Sequence, residues 1–455
     1  MKHIRFFTTY RLLTALTLIL FSSMSLAQSG GTFSSYSRFG LGLVNDNSQT
    51  WNRSMGGVGM ALPSGNKLNT MNPASYAYLD SLSFIMDAGM SGNFGHMTLN
   101  SSSKNVNNAS FDYVVMGFRL RKNLGIGFGF RPYSTINYAY TTTGKEAIRD
   151  EITGELIRNN TDYSGSGGLN QAFVGLGWSP LSNFSIGANV SILWGHATHI
   201  MTQNFTADGS STSNFDGFNF VQYADLLTYK LDFGAQYAIR LSHADWLTIG
   251  AGVGLGHKFD GDAKLYRFMS SGDTLTVNGD KNGFDIPMTY AGGVTWQHQN
   301  RLTVSADAHY QTWGNCRMPM MVITDNNVSY PSTNSIYNNV FMIKAGAEYT
   351  PNPMASKYYN RIKYRLGFSY TSPQLNIPTT DGQTTLMQKG PRELCLSLGF
   401  GLPITNRINS RSMVNLGVQW LNRRSQAAGL MTENYLVLNL GVTFNERWFM
   451  KFKIQ

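Results

Sequence analysis

Ser305, Asp307 and His309 carry a hydroxyl, a carboxylate and an imidazole, the three groups of a hydrolytic triad. Their two-residue spacing argues against that use. In an extended chain alternate residues fall in a row on one face, whereas a triad needs convergent geometry. No HExxH, P-loop or strand–turn–helix GxSxG accompanies them, so neither a catalytic residue nor a cofactor is expected. Cys316 and Cys395 with scattered histidines make no metal site. Export would permit a disulfide between the two cysteines, and the sequence leaves that pairing open.

Two other sets suit binding better. Arg361, Lys363 and Arg365 repeat at a two-residue interval, and Arg131 and Lys344 take the equivalent face of their own segments, beside Asp307 and Glu348. Such cations could dock a carboxylate head group or hold an internal segment through salt bridges. Met55, Met60, Leu62 and Met71 could line a pocket for a greasy ligand, since methionine adapts to varied shapes, or pack their segment against its surroundings.

The elements that must position these residues are strands. In 361–370, Ile362, Tyr364, Leu366, Phe368 and Tyr370 alternate with Arg361, Lys363, Arg365, Gly367 and Ser369, so one face is apolar and the other polar. The same zigzag recurs at 124–131, 184–194, 302–310, 394–402 and 436–444. Short links alternate with long ones, the latter near 92–109, 143–168, 205–220, 268–281, 314–337, 375–389 and 424–431. Bacterial barrels keep short turns on the periplasmic side and long loops outside, and seven long loops require about fourteen strands. The expected fold is therefore all-β: a transmembrane antiparallel barrel over 81–444. Even parity leaves 445–455 as a periplasmic tail, with a fifteenth strand over 446–455 as the alternative. Segment 146–158 places Ile148, Ile152 and Leu156 at helical spacing and predicts a short amphipathic helix within one outer loop.

Composition agrees. Charged residues are 14% of the chain and aromatics 13%, against roughly 25% charged in average globular domains. A large soluble sandwich or propeller shares these features and is the competing reading. Segment 1–27 reads as a secretory signal peptide, with Lys2, Arg5 and Arg11 before an apolar run and Ser25-Leu26-Ala27 at the cleavage point. The run is too short for a comfortable spanning helix. Export to the Gram-negative outer membrane follows, with outer-membrane lipid as one partner. Losing three cations lowers the charge from +10 to +7 (10 − 3). There is no Lys/Arg run of the kind nucleic acid needs, so no nucleic-acid partner is expected. Segment 28–80 is rich in Gly, Ser and Asn. It is too short for an independent core and is expected to fold inside the lumen as a plug. Inward glycines at 125, 127, 129, 250, 252 and 254 would let it approach the wall or ease strand bending. Pro132 and Pro287, at or near strand ends, could kink the wall, because proline removes a ladder hydrogen bond.

The run Arg53-Ser54-Met55-Gly56-Gly57-Val58-Gly59-Met60-Ala61, followed by Met71-Asn72-Pro73-Ala74, resembles the N-terminal hatch of the long-chain fatty-acid transporter family (FadL and the related aromatic-hydrocarbon channels). Arg131-Pro132-Tyr133-Ser134, 164–169, 181–195, Pro287-Met288-Thr289-Tyr290 and 445–449 are similar to the branch found in Bacteroidota-type bacteria. The likeness spans essentially the whole mature chain. It implies that Arg53, Gly56, Gly57, Gly59, Asn72, Pro73 and Ala74 build the hatch. It also implies passive uptake of hydrophobic, fatty-acid-like molecules that leave through a lateral gap in the wall. Recruitment as a non-transporting accessory or scaffold barrel, bound to other outer-membrane or periplasmic proteins, is the alternative.

Overall fold

The computed structural model describes residues 33–447 apart from 100–101, 145–147, 150–155, 208–216, 270–273, 325–326, 382–383, 405–411, 426 and 428. The signal segment and the tail beyond 447 lie outside the described residues.

The alternating segments form fourteen antiparallel strands. They are β1 (Ser83–Leu99), β2 (Ser102–Arg121), β3 (Leu124–Pro132, then Ser134–Thr143), β4 (Leu156–Leu181), β5 (Phe184–Ala207), β6 (Phe218–Arg240) and β7 (Asp245–Gly254, then Gly261–Met269). There follow β8 (Thr274–Asn278, then Thr289–His298), β9 (Leu302–Gln311), β10 (Val340–Tyr349), β11 (Lys363–Thr371), β12 (Arg392–Pro403), β13 (Met413–Arg424) and β14 (Thr432–Arg447). β14 pairs with β1 from Ser83↔Arg447 to Thr98↔Thr432, which closes the cylinder.

The burial pattern is inverted relative to a soluble sandwich. Leu227, Leu366 and Leu398 are 69, 59 and 58% exposed on the outer face, while Gln171, Thr295, Ser305 and Asn415 are buried inside. Water would penalise such an outer face, and hydrocarbon favours it. Trp178, Trp246, Trp296, Tyr349 and Tyr364 point outward near the short-turn end, where amphipathic rings suit the membrane interface.

Three expectations need correction. Much of 92–109 and 143–168 is strand rather than loop: β1 and β2 meet across Leu99↔Ser102, and β4 begins at Leu156. The helix over 146–158 is replaced, where the chain is described, by strand: Ile148 and Arg149 pair with Ile157 and Leu156. β14 runs to Arg447, past the boundary expected at Phe444. All three follow from cross-strand pairing outweighing local propensity.

Residues 33–80, here termed the hatch, run against inward-facing residues of the wall strands. The largest apolar cluster lies between its first residues and the outer loops, where Tyr36 and Leu41 pack with Trp313, Met318, Tyr337 and Ile377. Hairpins within 318–333 and 376–389 supply the loop side of this cap.

Candidate functional site

The hatch turns sharply because of its glycines. Gly56 and Gly57 have φ of +71° and +76°, the left-handed region that only glycine enters cheaply. They follow the single helical turn Thr50–Arg53. Together they let the chain double back so that the backbone N–H groups of Gly59 and Met60 donate to Asp307 Oδ2 at 2.6 and 2.9 Å. Asn72 caps the 3-10 helix Pro73–Tyr78 by accepting from the Ala74 N–H. Its Nδ2 donates to the carbonyls of Met60, Ala235 and Ala251 at 2.8, 3.2 and 3.3 Å. Asn72 and Pro73 therefore tie the hatch to the wall at β6 and β7, and Ala74 lies buried in the same turn.

Wall glycines form the sockets on that side. A Cβ at Gly125 would meet the Tyr76 carbonyl, and one at Gly250 the Met60 carbonyl. Gly127 and Gly252 also face the hatch, at the Tyr76 ring and the Met60 sulfur, whereas Gly129 and Gly254 touch only neighbouring wall residues.

On the other side the grip is ionic. Arg53 pairs with Asp112 (2.8 Å), Lys344 with Asp46 (3.2 Å) and Lys67 with Glu348 (3.2 Å). Glu348 is also held by Lys363 at 2.8 Å and by Arg365 at 2.7 Å. Burial alone would raise the Asp46 carboxyl; Lys344 and Arg53 outweigh it and hold the group down at about 2. Burial, aided by Lys363 and Arg365 and opposed by Glu348, pulls the Lys67 ammonium down to about 7. At the outer end Ser34 Oγ donates to Glu433 at 2.7 Å and the Ser35 backbone N–H at 3.0 Å.

These contacts settle where the anticipated residues lie. Arg131 bonds Gln171, the Asn47 carbonyl and Thr70 (2.9, 3.0 and 3.4 Å) and stacks over Phe173. Arg131, Lys344 and Arg365 are buried against the plug or its supports. Lys363 and Arg361 line a periplasm-facing cavity. Met55 and Leu62 pack with Trp51 and Val58, and Met60 is buried over Gly252 and Gly293. Met71 lines the larger outer cavity. The four apolar residues are thus not gathered into one pocket. Ser305 bonds Thr295 at 2.7 Å while Asp307 serves the hatch backbone, so no triad converges. Cys316 and Cys395 are free and buried.

Above the hatch lies a cavity of about 680 Å³. It is lined by the charged residues Asp46, Arg53, Asp112, Lys344, Glu393 and Arg423, and on its aromatic side by Phe111, Phe130, Pro132 and Trp194. On that aromatic side the wall changes. β2 pairs with β3 from Arg121↔Leu124 up to Val114↔Phe130. Beyond Pro132 the outer part of β3 pairs with β4 and with the two-residue hatch strand Leu43–Val44. Among the described residues, no ladder joins it to β2, whose outer half pairs with β1. Pro132 has no N–H to extend the ladder. The bend is accommodated by Gly167 and Gly168 at φ +121° and +125°, a Cβ at Gly168 being blocked by the Ser134 carbonyl. Phe130 stacks with Phe111 and packs against Trp194, both with centroids 5.9 Å apart.

Pro287 marks a second irregularity. Phe284–Ile286 leaves the wall and pairs with His257–Phe259 as a small inner sheet. The outer part of β7 rejoins β6 only at Gly261↔Leu226.

Sequence reasoning missed Asp46, Lys67, Asp112, Arg423 and the aromatic trio. Asp46 and Lys67 had a usable signal, since they are isolated charges in a nearly uncharged segment destined for a lumen.

The sequence model of the BamG family matches residues 10–455. The chain belongs to the BamG family. No curated protein matches the sequence. Solved structures give a likeness of fold to which this BamG-family chain can be compared. A Pseudomonas aeruginosa FadL homologue aligns with TM-score 0.59 and 12% identity, over 89% of this chain and 99% of that one. The P. putida toluene transporter TodX aligns with TM-score 0.52 and 15% identity, over 92% and 100%. The Ralstonia pickettii toluene transporter TbuX aligns with TM-score 0.53 and 14% identity, over 90% and 98%. The fold expected from the hatch motif is therefore the fold of this BamG-family protein.

Proposed function

We propose that this protein is an outer-membrane channel, exported by a cleaved signal peptide, that passes hydrophobic or amphiphilic small molecules from the outer cavity sideways into the bilayer between β2 and β3. The observation that carries this reading is the interrupted ladder above Val114↔Phe130, with the aromatic side of the cavity set against it. Along β9–β14 continuous backbone pairing would seal an apolar solute inside, because opening a ladder in hydrocarbon strands unpaired N–H and C=O groups at several kcal/mol each. Here Pro132 and the bend at Gly167–Gly168 have already ended the pairing. A greasy molecule could leave along Phe111, Phe130 and Trp194 without crossing water. The toluene transporters TodX and TbuX share the fold, which makes such a route a reasonable use of it.

The charged half of the cavity bears on the ligand. Arg53–Asp112 and Lys344–Asp46 sit beside the aromatic side, so a molecule with a polar head and an apolar tail fits better than a plain hydrocarbon. Fatty-acid-like compounds are one such class.

Closing the gap tests the reading. In a Phe111→Cys, Phe130→Cys variant that also carries Cys395→Ser, because Cys395 lines the same cavity, a short bifunctional thiol reagent would bridge β2 and β3, Cys316 being buried. Uptake of a fluorescent fatty acid should fall at least tenfold after bridging and recover when a cleavable bridge is reduced. Unchanged uptake would overturn the lateral route.

A second reading has its own support. The hatch is pinned by ion pairs and by glycine sockets around the wall, which suits a static barrel used as an accessory or scaffold subunit of an outer-membrane assembly. Purification in mild detergent separates the two. A stoichiometric large partner together with unchanged uptake favours the scaffold; a lone barrel retaining lipid favours the channel.

A further inference from the structure

Below the hatch, facing the periplasm, is a separate cavity of about 520 Å³ between hatch residues 62–67 and the turns that end β8, β10 and β12. Its charge is unbalanced. Glu348 is shared by Lys67, Lys363 and Arg365, all within 3.2 Å. One carboxylate neutralises one of three cations, and Arg361 adds a fourth at the rim. The buried Nε of Arg361 has no hydrogen-bond partner among the described residues, and its guanidinium lies over the Tyr358 ring at 5.5 Å. Lys67 is fixed from behind, its ammonium 4.0 Å from the centre of the Trp51 ring. Leaving buried cations uncompensated is costly. Loss of the Lys67 proton would relieve one of them and leave Lys363 and the orphaned Arg361 donor as they are.

We infer that this mouth is an oxyanion site, taking a phosphate or carboxylate group between Arg361, Lys363 and Lys67 from the periplasmic side. Guanidinium and ammonium donors suit such groups through charge-assisted hydrogen bonds. Asn300 and Thr303 supply neutral polar groups on the same lining. The geometry admits a free anion from the periplasm or the head group of an inner-leaflet phospholipid. The inference does not depend on the lateral route, which opens on the other side of the hatch.

The test uses the full mature chain in two arms. Isothermal titration with inorganic phosphate, at low ionic strength in a buffer without competing oxyanions, should show one saturable site if the source is a free anion. Native mass spectrometry from phosphatidylglycerol nanodiscs should show one retained lipid if the source is a head group. In either arm an Arg361→Gln, Lys363→Gln double variant should bind at least tenfold more weakly, and Lys363→Arg should restore most of the binding. Heat-modifiable migration on gels verifies that each variant keeps a folded barrel. Absence of binding by both probes, or equal binding by wild type and a folded double variant, would overturn the site.

Discussion

The hatch is held differently by the two halves of the wall. Along β9–β14 the contacts are charges: Asp307, Lys344, Glu348 and Glu433 each take a hatch partner. Along β3–β8 Gly125, Gly127 and Gly250 are set against hatch backbone or rings, and Arg131, Gln236 and the carbonyls that Asn72 reaches are hydrogen-bonded to the hatch; glycine sockets recur in the other half at Gly346 and Gly367. The charged half keeps an unbroken ladder. The glycine half contains both irregularities, at Pro132 and at Pro287. Ion pairs from β10 therefore fix the plug to the half with the unbroken ladder. The other half, which bends at Pro132 and Pro287, holds the hatch through close packing and hydrogen bonds.

If that contrast is real, the largest loss should come from breaking a charge that several groups share. Glu348→Gln leaves Lys67, Lys363 and Arg365 without their common counter-ion and should cost about 3–5 kcal/mol, read as a lower midpoint of heat modification and faster proteolysis within 33–80. An effect below 1 kcal/mol would remove the charged grip. Gly250→Val should come next, at about 1–3 kcal/mol of overpacking, because the Met60 carbonyl occupies the space. A neutral result would show that the socket can open. Pro132→Ala should change stability by less than about 1 kcal/mol, since surface-type changes away from buried networks are small, yet slow ligand uptake if the missing N–H helps to keep β2 and β3 apart. Normal uptake would confine the role of Pro132 to the strand end.

An effect of similarly small size should be the response to acid. The Asp46 carboxyl is held at about 2 in the fold against an ordinary value of 3.8. A depressed carboxyl stabilises the fold fully above the unfolded value, and the contribution fades as pH falls from about 4 through about 2. Its side chain is 40% exposed to the cavity, so after screening the effect is on the order of 1 kcal/mol. Asp46→Asn should flatten the acid sensitivity of hatch proteolysis over that range. An identical acid profile in the variant would show that Lys344 and Arg53 hold the hatch without it.

The sequence made the membrane-embedded part legible because there each strand has one face in hydrocarbon and one in a polar lumen. Segment 361–370 shows this plainly. The signal fades at the outer ends of β1 and β2: β2 is exposed on both faces there, and the inward face of β1 is buried yet polar or small at Ser91, Asn93 and Gly95, so hydropathy does not alternate and both read as a loop. Segment 146–158 misled for a related reason, since Ile148 and Leu156 suit a helix face as well as the short strand pairing they make. The lumen-facing cations were visible from alternation alone, but their partners were not. Asp46 meets Lys344 and Arg53 meets Asp112 across long stretches of chain, and no local pattern encodes such meetings. The break beside β2 was signalled only by Pro132, while the aromatic residues around it looked like ordinary lipid-facing positions.

β14 has two tasks at once. It zips onto β1 to finish the cylinder, and through Glu433 it clasps Ser34 and Ser35, which precede every other strand of the wall. The earliest described stretch, also held at β3 where the Ser34 N–H donates to the Asn137 carbonyl, therefore gains its last anchor when the latest strand arrives. During assembly the plug must already be threaded inside an unfinished, open-sided sheet, and the seam that shuts behind it is also the latch that holds it.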